Sequence, residues 1–187
     1  MSMLSGVGVL VWGGLLFGFF NGYLESTEFQ RGAQVVLGTT SIAFLVAVVG
    51  VYDSFVRSRL GRVILGGMGV VSLGMFLGAA LTVFTRELGG TVMLASYILL
   101  VAGGTLLGME FLRSGGPRSA AWSLAISGPL FLLTDKLLWE PLNALLGVDI
   151  TALLNTVPFA VGMVLLGRVL RAHSVTVESE YVGAEND

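Results

Sequence analysis

A chain of 187 residues that is 55% hydrophobic and only 12% charged, with a mean hydropathy of +0.88, lies well outside soluble domains, where about a quarter of residues are charged. Ten basic and 12 acidic residues leave a formal net charge of −2, which excludes the basic face that nucleic acid or a polybasic lipid site requires. The lack of any cysteine excludes disulfides, iron–sulfur clusters, thiolate nucleophiles and Cys-ligated zinc. What remains is a polytopic integral membrane protein whose first partner is the lipid bilayer.

Met3 to Phe20 is a nearly unbroken apolar run, and at about 1.5 Å per residue it nearly matches a hydrocarbon core of roughly 30 Å. No Lys or Arg precedes it and no small-residue cleavage pattern follows, so it reads as a retained first span and not as a signal peptide. The second span runs from about 33 to 52 and exits through Asp53. The connector VRSRLGR then leads to a third span over about 63–84.

Arg86, Glu87, Gly89 and Gly90 mark a tight turn, after which about 91–112 is long enough for a fourth span. RSGGPR, from Arg113 to Arg118, supplies the next loop. A fifth span over about 119–138 carries the Gly128-Pro129 pair, and the proline predicts a kink because it lacks the N–H and crowds the preceding turn. Trp139, Leu142, Leu145 and Leu146 recur at helical spacing, which predicts a short interfacial helix before a sixth span over about 152–170, with Asp149 and Thr151 as caps. Residues 174–187 are polar and acidic, and that composition predicts a tail that does not pack.

The predicted fold is therefore all-α: a single six-transmembrane-helix bundle over residues 1–173 with a short outer interfacial helix. Counting Arg and Lys by side orients it. With six spans, Arg57, Arg59, Arg62, Arg113, Arg118, Arg168 and Arg171 share one side, against Arg31, Arg86 and Lys136 on the other. This predicts a multi-pass protein of the cell membrane with both termini in the cytoplasm.

Small residues four apart let helix backbones approach in lipid, where van der Waals contact replaces the missing hydrophobic drive. Gly14, Gly18 and Gly22, then Gly74 and Gly78, then Gly104 and Gly108 show that spacing and are the predicted packing faces. A three-plus-three inverted repeat would need a partner for Pro129 in the second span, which holds Gly38 and Gly50 but no proline.

Four charged residues are candidates for chemistry. Asp135 and Lys136 would form an ion pair lining a solute path if they sat at membrane depth, but at the outer end of the fifth span Lys136 reaches to the headgroups and Asp135 meets water. Glu110 lies three residues before Arg113, on one helix face, as an interfacial ion pair or a proton-coupling carboxylate. His173 is alone, so paired-histidine haem, multi-histidine zinc and a Ser-His dyad all lack partners. No Walker, dinucleotide-binding or GxSxG pattern appears, and no cofactor is implied. Trp12, Trp122, Trp139, Tyr23, Tyr52 and Tyr97 are assigned to an aromatic belt near the span ends.

The sequence thus predicts a non-enzymatic accessory or scaffold subunit that acts through helix–helix contacts, as a homo-oligomer or in a membrane complex. The alternative is a small-solute or ion transporter or channel, single or oligomeric, built on Asp135, Lys136, Glu110 and Arg113.

Overall fold

The computed structural model describes residues 2–56 and 58–184; within them the side chains of 2, 53–55, 135, 136, 139 and 173–184 stand outside the description. The regular elements among the described residues are all helical. They are α1 (Ser2–Phe20), α2 (Ser26–Phe55), α3 (Arg59–Leu81), α4 (Arg86–Ser114), α5 (Arg118–Leu133), a π-helical segment (Thr134–Leu138), α6 (Trp139–Leu146) and α7 (Thr151–Ala184). Five of them are long and apolar enough to cross a membrane: 3–20, 26–52, 59–81, 86–114 and 151–172. This is the architecture of a multispan membrane protein.

Helix ends follow local chemistry more than hydropathy. α2 begins seven residues before the apolar run predicted at 33, because Glu25 and Glu28 close a capping box on its first turn. The Ser58 hydroxyl accepts the Gly61 N–H at 2.9 Å and starts α3 ahead of the predicted 63. α4 ends on Gly115 at φ 81 and α6 on Gly147 at φ 68, left-handed positions that favour glycine.

Six helices close a ring in the order α1, α2, α3, α4, α5, α7, each packed on the next and α7 back on α1. Neighbours run antiparallel. Gly6 of α1 approaches Ala160 and Val164 of α7 while Gly13 approaches Thr156, and Gly108 of α4 meets Ala121 and Ala125 of α5 while Gly128 meets Thr105. The ring therefore has an Asn21 end, with the α1–α2, α3–α4 and α6–α7 connections, and a Glu110 end, with the α2–α3 and α4–α5 connections.

The middle of the ring is filled by aromatic rings. Phe44 stacks on Phe159 with centroids 5.6 Å apart, and Trp12 stacks on Phe29 at 5.5 Å while meeting Tyr97 edge-on at 6.5 Å. Outward faces carry exposed Val63, Val70, Leu73 and Trp122. An apolar exterior over a packed apolar interior suits a lipid solvent, where burial does not separate the two faces by polarity.

Candidate functional site

The predicted fifth span begins as an α-helix and ends as something else. Pro129 removes one backbone donor from α5, and the hydroxyl of Thr105 on α4 steps in beside it, accepting the Gly128 N–H at 2.9 Å and lying 3.3 Å from the Ser127 hydroxyl. A neighbouring helix thus supplies the polar partner that lipid cannot. Five residues after Pro129, at Thr134, the chain widens into the π-helical segment, a local form that recurs at functional sites. Fully buried Thr134 donates to the Leu130 carbonyl at 2.8 Å and also pairs with the Asn155 side chain on α7, which pins the widened turn.

The charged candidates separate. Glu110 is buried near the last turn of α4, its side chain 5% exposed, and its Oε2 lies 3.4 Å from Nε of Arg113, whose side chain is 72% exposed. Its other oxygen has no partner among the described residues. Asp135 and Lys136 fall on the π-helical segment at the opposite end of α5; their side chains lie outside the described residues. Because α4 and α5 run antiparallel with Gly108 level with Ala121 and Ala125, Asp135 stands at least ten residues of helix from Glu110, more than about 15 Å. The two backbones do not share a site.

The glycines also sort by place. Gly108 would drive a Cβ to 2.4 Å from the Ala125 nitrogen and 2.6 Å from the Ala121 carbonyl, and Gly104 one to 2.3 Å from the Phe159 ring. Gly78 packs on Met93, and a Cβ at Gly74 would stand 3.0 Å from the Ser96 hydroxyl. Gly18 faces Leu24, Gly14 faces open space, and Gly22 is a turn residue at φ 73 after α1. The close approaches of α1 are made by Gly6, Gly8 and Gly13, which face Ala160, Thr40 and Thr156.

At the Asn21 end the connections are tied together. The Asn21 side chain donates to the Asp149 carbonyl at 2.9 Å and accepts the Asp149 N–H at 2.7 Å, while Asp149 Oδ1 accepts the Thr151 N–H at 2.9 Å and caps α7. Beneath this tie a cavity of about 450 Å³ opens between α1, α4, α5 and α7. Leu16, Phe20, Leu94 and Phe131 are among its apolar walls, with Asp149 and Asn155 among its polar ones. Trp12 and Tyr97 also line it, and both were assigned by sequence to the span ends. They are 8% and 5% exposed in mid-helix, and among the described residues the indole Nε1 and the phenol oxygen have no hydrogen-bond partner.

A second, smaller cavity of about 250 Å³ lies on the far side of the Trp12–Phe29 stack, lined in part by Phe29, Gln30, Gln34, Thr82 and Arg86. The Gln34 amide donates to the Thr82 hydroxyl across it. Among the described residues no three His, Asp or Glu side chains gather in one place. Comparison with known protein families, with curated proteins and with solved structures finds no match, so the chain's own geometry carries the functional reading.

Proposed function

We propose that this chain is a six-span protein of the cell membrane, both termini cytoplasmic, that works without catalysis as an accessory or scaffold subunit through helix–helix contacts. The sixth crossing is α5. Arg118–Leu133 and the π-helical segment together reach about 30 Å, and they pack antiparallel between α4 and α7, which are themselves long enough to cross. α6 then lies along the outer headgroups, with Leu145 80% exposed for insertion among them. The Arg-rich flanks at the Glu110 end favour the cytoplasm for that end.

The observation that carries the accessory reading is on α3. Gly66 and Gly67 are exposed, with nothing within 4 Å of where a Cβ would stand, and exposed Val63 and Val70 flank them on the outward face. Such a flat notch in a lipid-facing surface admits a second helix backbone at close range. The double variant Gly66→Leu/Gly67→Leu should keep the melting temperature of the parent in mild detergent and lose the companion that copurifies with it, whether a second copy or another subunit. Identical composition of the purified complexes would sink the reading.

The transport alternative draws support from the cavities at the Asn21 end, yet its charged residues are divided between the two ends of the ring. Asp135→Asn assayed for solute flux in liposomes tests it directly. Flux that falls at least tenfold favours transport; absence of flux in the parent removes it.

A further inference from the structure

We propose that the cavity between α1, α4, α5 and α7 binds an apolar molecule bearing a carbonyl oxygen, received by the indole N–H of Trp12 and the hydroxyl of Tyr97. A volume of about 450 Å³ falls in the range of small-ligand sites, roughly 300–1,000 Å³. Its chemistry matches such sites as well: mostly apolar walls with a few polar groups among them. Tyr97 and Trp12 are more than nine-tenths buried, and each holds a polar atom with no partner among the described residues. Buried polar atoms are ordinarily paired, and one left alone costs as much as a lost hydrogen bond.

The two orphan atoms define what would pair them. An indole N–H only donates, and a phenol hydroxyl donates or accepts, so the common partner is an acceptor oxygen. Their rings meet edge to face with centroids 6.5 Å apart, and both residues line the cavity. An anion is a poor occupant, because among the described residues no Lys or Arg lines the cavity and Asp149 does. A lone water would pair the orphans but leave most of an apolar volume unfilled, and apolar cavities do not hold water well. A carbonyl on an apolar body answers both halves of the site.

Access is from the lipid side. Phe131 lines this cavity and also an apolar groove of about 510 Å³ on the outer face of α4 and α5, which includes Pro129 and Leu132. The same side chain therefore stands between bilayer and cavity, one turn before the π-helical segment. The carbonyl has two sources: the ester group of a bilayer lipid, or a free ketone- or quinone-like molecule dissolved in the membrane.

The test uses the full chain carrying Trp122→Phe and Trp139→Phe, so that Trp12 is the only fluorophore of its kind, in nanodiscs of diether lipids, which have no ester carbonyl. Menadione, an apolar two-ring probe with two carbonyls, should quench Trp12 saturably, and 2-methylnaphthalene, the same frame without them, should displace it at least tenfold less well. Adding Tyr97→Phe should weaken menadione binding about tenfold while the melting temperature holds, the size expected of one lost hydrogen bond. Non-saturable quenching, or equal displacement by the two probes, overturns the proposal even if the tyrosine variant does not fold. In diacyl-lipid nanodiscs, a weaker apparent affinity for menadione identifies the lipid ester as the occupant, and an unchanged affinity identifies a free carbonyl compound.

Discussion

The two ends of the ring are built by different rules. Toward the Glu110 end, helices close on one another through small residues: Gly108 against Ala121 and Ala125, Gly162 against Leu124, Gly6 against Ala160, with Ala120, Ala121 and Leu124 wholly buried. Toward the Asn21 end α3 and α4 still close through Gly78 and Gly89, but α1, α2 and α4 meet on aromatic spacers, Phe19, Phe29, Trp12 and Tyr97, and side-chain ties run across the loops. The difference teaches that aromatic spacers, and not the loops, decide where the bundle is hollow. Backbone contact closes the Glu110 end, and cavities open at the Asn21 end where rings stand between α1 and its neighbours.

Breaking the tight end should cost most. Any side chain at Gly108 meets backbone atoms of α5 that have no flexible tip to yield, so Gly108→Leu should abolish the folded state in detergent and Gly108→Ala should cost roughly 1–3 kcal/mol. Thermal unfolding followed by circular dichroism reads this, and a parent-like melt for the leucine variant would mean that α4 and α5 are not in contact. Untying the open end should cost less. Asn21→Ala removes both hydrogen bonds to Asp149, a loss of about 1–3 kcal/mol, and should speed hydrogen exchange at 147–150 while leaving the amides around Gly108 unchanged.

Smaller still is an asymmetry at the Glu110 end. Arg113→Gln leaves a buried carboxylate without its cation, whereas Glu110→Gln leaves an exposed guanidinium in water, so the first should be the more destabilising by about 1 kcal/mol, measured by denaturant titration in mixed micelles. Equal losses would show that the carboxylate is already solvated. The smallest effect is expected at Gly14, which faces open space on α1: Gly14→Leu should leave stability within about 0.5 kcal/mol. A large loss there would reveal a helix from another subunit on that face.

How much of this the residues announce depends on the interaction involved. Apolar runs mark five long helices because lipid-crossing segments need length and hydropathy, and both are visible in one dimension. Their ends are less visible, since the capping box at Glu25 and Glu28 carries α2 past its apolar stretch. Gly128-Pro129 signals a break in the fifth segment, while the π-helical turn at Thr134–Leu138 depends on a partner, Asn155, that is distant in sequence. Helix faces are the least legible. α1 is apolar all round, so nothing in its pattern separates Gly6 and Gly13, which touch α7, from Gly14, which touches nothing. For the same reason Trp12 and Tyr97 read as belt residues although they lie deep in the ring.

The ring is closed by the pairing of its first helix with its last. During synthesis, α1 presents Gly6 and Gly13 to lipid until α7 has been made, an interval of roughly 7–30 s at 5–20 residues per second. Through that interval the growing chain is an open arc in which α1 has α2 on one side and lipid on the other. The order of manufacture thus leaves α1 as the surface that a membrane chaperone, or a second copy of the same arc, meets first, and exchange of α7 between two arcs would make a swapped dimer from contacts already present in the monomer.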